Sequence, residues 1–167
     1  SEALTIILKR NDPSAVAKQV SLTELGSIKI NKEERGKMLK AIPRNSVIGF
    51  LIGVLPGAGA TIASFLAYGM ERNFVSDEEK EKFGKGSVHG LTAPETANNA
   101  ACSGAFVPLL TLGIPGSGTT AVMLGALLGF GIQPGPRLYI TNPEIFWSVI
   151  MSMYIGMVVL LILNLPL

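Results

Sequence analysis

Polar and apolar positions in this chain fall into long blocks and do not alternate. Residues 1–45 are polar and basic, 46–70 carry no charge, 71–95 are charged again, and 96–136 and 145–167 are uncharged. A helix needs about 20 apolar residues to cross a bilayer, and each uncharged block is long enough. The pattern predicts an all-α fold, a polytopic transmembrane helical protein with a membrane region over 46–167 and a polar link over 1–45. The chain has no initiator Met, and its last stretch, MVVLLILNLPL, stops while still apolar. It therefore reads as a fragment of a longer protein.

Two of the apolar blocks are interrupted. GVLPGAGAT (53–61) places Pro56, Gly57 and Gly59 in the middle of 46–70. The block 96–136 is too long for one simple crossing and contains LGIPGSGTTAVMLG. Aligning Pro56 with Pro115 sets PGAGAT over PGSGTT, an internal repeat. Proline removes a backbone donor and clashes with the preceding turn. Glycine allows positive φ and close approach of a ligand or another backbone. In hydrocarbon, a broken helix survives only if buried in protein or lining a polar cavity.

Each motif is therefore expected to end one half-helix and start another, and paired interruptions point to a carrier's central binding site. The new N-termini favour an anion. The carbonyls that end the first halves suit a cation such as Na⁺, and Thr61, Ser117, Thr119 and Thr120 add hydroxyls. Helix packing is the competing use of glycine, and Gly49-x-x-x-Gly53 and Gly125-x-x-x-Gly129 are assigned to it. Two topologies satisfy 46–70. A crossing puts 71–95 on the far side, whereas a re-entrant hairpin puts it beside 1–45. Arg72, Lys80, Lys82 and Lys85 favour the hairpin.

TAPETANNAACSGA (92–105) places Glu95, Asn98 and Asn99 on one helix face by their spacing. Carboxamides in or near hydrocarbon need partners or a function. Glu95 is expected near a helix N-terminus, Pro108 to interrupt the segment, and Cys102 to be a small packing residue.

The polar blocks add orientation. Residues 1–45 hold nine of the 14 Lys and Arg residues, which favours the cytoplasmic side. A short amphipathic helix there is expected to start at Asn31, with Glu34 completing the cap, and to lie at the membrane surface through Met38, Leu39 and Ile42. In the polar loop 71–95, Ser76 and Glu79 form a capping-box pattern and Gly84 is a stop. His89 is expected to be an incidental loop residue. A further transmembrane helix, truncated, covers 145–167, with Tyr139, Trp147 and Tyr154 suited to an interface.

Composition narrows the function. Hydrophobic residues make up 48% and charged residues 16%, against about 25% charged in soluble domains. The net charge of +2 is too small to suggest nucleic acid. The lone Cys102 excludes an internal disulfide, and no Cys/His cluster suggests a metal site. Gly116, Gly118 and Ala121 spell GxGxxA, but no βαβ pattern surrounds them. A phosphate loop needs Lys where Ala60 stands. With no nucleophile–base pair and no paired carboxylates in the apolar part, neither an enzyme nor an organic cofactor is expected.

GFLIGVLPGAGATIASFLAYGMER (49–72), FGKGSVHGLTAPETANNAACSGAFVPLLTLGIPGSGTTAVMLGALL (83–128), QPGP (133–136) and the closing MYIGMVVLLILNLPL resemble the large membrane subunit of bacterial tripartite tricarboxylate transporters, in its second half. The resemblance implies a secondary carrier of the bacterial inner (cytoplasmic) membrane that takes up citrate-like carboxylates, driven by a cation gradient, usually Na⁺. It also implies two partners, a small membrane subunit and a periplasmic solute-binding protein. By motif position, Pro56, Gly57, Gly59, Thr61, Pro115, Gly116, Gly118 and Thr120 belong around the transport site, and Asn98 and Asn99 match the family's asparagine pair. A small residue often stands at the position of Ser117, and Met157 replaces an expected asparagine. The alternative is a non-transporting membrane subunit whose glycines serve packing and assembly.

Overall fold

The computed structural model describes residues 30–164, and all its regular structure is helical. In chain order the helices are α1 (Lys32–Val54), α2 (Gly59–Phe74), α3 (Asp77–Lys80), α4 (Val88–Gly104), α5 (Phe106–Leu112), α6 (Gly118–Gly129), α7 (Leu138–Thr141) and α8 (Pro143–Asn164). Expectations for residues 1–29 and 165–167 fall outside the described part.

The helix expected as a separate surface element within 1–45 is the first half of α1. α1 starts directly after Asn31, with Glu33 and Glu34 in the first turn where the helix dipole favours acids. It then runs through Pro43 into the apolar block and ends at Val54, because Pro56 keeps the preceding residue out of the helical region. Tight turn bonds, Leu55 N to Ile52 O and Ala58 N to Leu55 O, carry the chain round. Gly57 and Gly59 take positive φ values of 79° and 67°.

The two arms fold back on each other. Arg44 and Glu71 would lie about 40 Å apart on one straight helix, yet Arg44 Nε donates to Glu71 Oε2 at 3.0 Å. Residues 46–70 therefore form a helical hairpin, and 71–95 returns beside the start of α1. Lys37 Nζ on α1 donates to Glu79 Oε1 in the returning segment at 3.0 Å. The second break also turns back. Gly113 ends α5 in the left-handed conformation, the chain passes through 114–117 into α6, and a Cβ on Gly113 would lie 2.6 Å from Pro134 O.

α1, α2 and α4 share a core of very small residues. Ala63 and Ala67 of α2 pack on Ala97 and Ala101 of α4, all fully buried. On α1, a Cβ at Gly49 would stand 2.3 Å from Ala97 O, and one at Gly53 2.3 Å from Ala101 O. The packing role assigned to Gly49 and Gly53 is thus seen directly. The same role for Gly125 and Gly129 is not, since no described atom lies within 4 Å of a Cβ at either position.

Several expectations are corrected. Neither half of the capping box forms: Ser76 makes no side-chain cap bond, and the Glu79 carboxylate is held by Lys37 and Lys82. Glu95 is not near a helix start: α4 begins at Val88, capped by Ser87 Oγ accepting from Gly90 N. His89 lies inside α4 and is buried. Several membrane-length helices were expected, but among the described residues one helix, Pro143–Leu163 within α8, is long and apolar enough to cross a membrane. Tyr139 and Trp147 both meet Phe146 edge-on at the start of α8. Tyr154 lies about 10 Å further along it than Trp147 and lines an apolar groove instead.

Candidate functional site

The hairpin tip and the second break face one cleft. It has a volume of about 270 Å³ and is lined by Gly59, Ala60 and Thr61 from α2, Cys102 and Phe106 from α4 and α5, and Ser117, Gly118, Thr119 and Thr120 at the start of α6. No charged side chain lines it. The polar groups available are hydroxyls and the backbone of two helix N-termini, the first turns of which leave N–H groups without intrahelical partners.

The two N-termini differ. α2 is preceded by Ala58, which offers no side-chain acceptor. α6 carries its own capping box: Ser117 Oγ accepts from Thr120 N at 3.3 Å, and Thr120 Oγ1 accepts from Ser117 N at 2.8 Å. Thr120 is buried and its hydroxyl also donates to Ser117 O. Ser117 and Thr120 are therefore engaged in holding the break, whereas Thr61 and Thr119 are exposed at the cleft.

The other expected site residues divide. Gly116 is buried, and a Cβ there would meet Ala105 Cα at 2.9 Å and Gly53 O at 3.0 Å, so it seats the second break on the first. Pro56, Gly57 and Pro115 shape the breaks without lining the cleft. Asn98 and Asn99 point apart. Asn98 Nδ2 donates to Ser64 Oγ at 3.3 Å and shares a neighbouring cleft with Thr61. Asn99 faces a groove shared with Cys102, Ser103 and Met153 of α8, and Met157 lines that groove too.

A cluster that the sequence reading missed sits at the opposite end of the hairpin. Glu71 is fully buried, and its carboxylate accepts from Arg44 Nε and Nη2, from Asn45 Nδ2 at 2.8 Å and from His89 Nδ1 at 2.8 Å. Arg44 also lies 4.4 Å from the ring centroid of Phe74, a cation–π distance. The signal was present in the sequence: opposite charges, Arg44 and Glu71, bracket an uncharged block, and a hairpin closes such a pair. Nearby, Glu79 is held at a pKa of about 2 by hydrogen bonds from Lys82 and Lys37. Lys37 is raised to about 12 by Glu33 and Glu79.

Two interrupted helical segments thus meet at an uncharged, hydroxyl-bearing cleft. Residues 1–167 match the family described as tripartite tricarboxylate transporter TctA, and the chain belongs to that family. It is 40% identical over 158 residues to an uncharacterized 52.8 kDa protein in the TAR-I ttuC' 3'region of Agrobacterium vitis, covering 95% of this chain and 31% of that protein. It is 48% identical over 119 residues to an uncharacterized protein in the TAR-II ttuC' 3'region of the same organism, covering 71% of this chain and 48% of that protein. The chain thus matches 31% of the length of one of these relatives and 48% of the other. No solved structure matches it.

Proposed function

We propose that this chain is part of the large membrane subunit of a secondary carrier for tricarboxylates or related carboxylates, and that the cleft between α2 and α6 is part of its transport site. The observation that carries this reading is the meeting of the two PGxG motifs at one cleft. Half-helix N-termini there would take a substrate carboxylate, as in carriers with broken helices. The hydroxyls of Thr61 and Thr119, with carbonyls at the breaks, would take a coupling cation, for which Na⁺ is our choice. The 46–70 hairpin would be re-entrant, entering and leaving the inner membrane on the cytoplasmic side with 1–45. The large apolar side chains exposed along α2, α6 and α8 would face lipid or the rest of the polypeptide. A small membrane subunit and a periplasmic binding protein would complete the system.

The test is uptake of labelled citrate by the full-length subunit, reconstituted with both partners, under an imposed Na⁺ gradient. Thr61→Val and Thr119→Val should each lower uptake roughly ten- to a hundredfold, the loss of one hydrogen bond to a charged group, at unchanged folded amounts. Uptake at the parent rate in both variants would overturn the reading. It would favour the second one, a packing and assembly subunit, which the close seating of Gly49, Gly53 and Gly116 supports.

A further inference from the structure

The polar cluster at the base of the hairpin lies outside the cleft. Glu71 is about 18 Å from Gly59 along α2, and its four donors come from two other helices: Arg44 and Asn45 on α1, His89 on α4. Between base and tip, the facing surfaces are Gly49 and Gly53 on α1, Ala63 and Ala67 on α2, and Ala97 and Ala101 on α4. These pairs are spaced by four residues, so a slip of four residues, about 6 Å, would set alanine or glycine against alanine or glycine again. Such packing brings the helices close but does not distinguish one register from the next. The Glu71 cluster does, because a slip of α2 against α1 and α4 would leave its buried carboxylate without Arg44, Asn45 and His89, a far larger penalty than loss of the neutral bonds from Ser64 to Pro94 O and from Asn98 to Ser64.

We infer that Arg44 and Glu71 are positioning residues. Their buried ion pair fixes the register of α2 against α1, the His89 bond to the same carboxylate carries that register to α4, and together they set Gly59–Thr61 against Cys102, Phe106 and Ser117–Thr120. Only the transport readout of this inference rests on the cleft being the transport site.

Register is read in the full-length subunit by pairing Thr61→Cys with the native Cys102, which is exposed, using a short bifunctional thiol reagent. Citrate uptake is measured separately with Thr61 intact. Arg44→Gln combined with Glu71→Gln removes both charges together, so no uncompensated charge remains buried. We expect that double variant to reach parent levels of folded protein while cross-linking slows at least tenfold and uptake falls with it. Arg44→Lys keeps the charge but loses the fork. It should fold, cross-link at an intermediate rate, and serve as the deciding variant if the double one is not recovered. Parent-rate cross-linking in either folded variant overturns the positioning role. Slowed cross-linking with parent-rate uptake leaves that role standing and overturns the assignment of the cleft to transport.

Discussion

Gly53→Ala tests the packing of α1 on α4 most directly. The added Cβ would stand 2.3 Å from Ala101 O, 2.6 Å from Ala101 Cα and 2.8 Å from Ala101 C. Real Cβ contacts essentially never fall below 3.0 Å, so the two helices must separate by about 1 Å or the hairpin must tilt. Overpacking of this kind costs about 1–3 kcal/mol. For a chain of this size that corresponds to a fall in Tm of roughly 4–8 °C at 2 kcal/mol. The assay is thermal unfolding of the purified subunit in detergent, followed by the amount remaining monodisperse. Because all three close atoms belong to the backbone, trimming the partner with Ala101→Gly should not rescue. Gly125→Ala is the internal control: nothing lies within 4 Å of its Cβ, and replacing a mid-helix glycine by alanine favours the helix by about 0.5–1 kcal/mol. A Gly53→Ala variant as stable as the parent, or one fully restored by Ala101→Gly, would refute the close-approach argument.

Three further outcomes follow from the geometry. Gly57 has φ of +79° and no atom within 4 Å of a built Cβ, so Gly57→Ala should cost only the left-handed backbone penalty of about 1–2 kcal/mol, with Gly57→Asn milder in the same unfolding assay. Ser117→Ala removes the acceptor of the α6 cap and should cost about 1 kcal/mol, largely restored by Ser117→Thr. The tie between Lys37 and Glu79 should be pH-dependent at both extremes. Glu79, depressed from 4.5 to about 2, contributes fully above 4.5 and loses its contribution as pH falls towards 2. Lys37, raised from 10.5 to about 12, contributes fully below 10.5 and loses its contribution as pH rises through 12. Hydrogen exchange over 77–86, corrected for intrinsic rates, should show protection that is flat between these limits and drops on acidification, with Glu79→Gln abolishing the acid change.

The structure also indicates where the topology of the hairpin is best probed. Ser87 is buried as the α4 cap, so a reporter cysteine belongs at the exposed Lys85, where labelling should match the side reached by residues 1–45.

Much of this architecture could be read from residue order. Pro56 and Pro115 each stand beside two glycines, a combination that ends a helix where Pro43 alone does not, so the breaks were visible, as was the four-residue spacing that seats Gly49 and Gly53. What stayed hidden depends on direction in space. Asn98 and Asn99 are adjacent, so a helix turns them about 100° apart, and only the placement of α2 and α8 decides which cleft each meets. His89 looked incidental because its partner, Glu71, is 18 residues away on another helix. Glu79 fitted a capping box by spacing, but competing lysines, one of them 42 residues distant, hold its carboxylate. Thr120 looked like a ligand hydroxyl until the cap claimed it.

The difference between the two helix starts has a consequence for hydration. α6 supplies its own acceptor at Ser117, so its first turn keeps the same bonds whether the cleft is dry, wet or occupied. α2 supplies none, and the N–H groups of Gly59, Ala60 and Thr61 must find acceptors in whatever fills the space. Water serves while the cleft is open to solvent. Any step that shuts water out leaves those groups unsatisfied unless an anion has already arrived. If the cleft is the proposed transport site, the empty protein would therefore resist closing, and this asymmetry would tie movement to cargo without a dedicated gate.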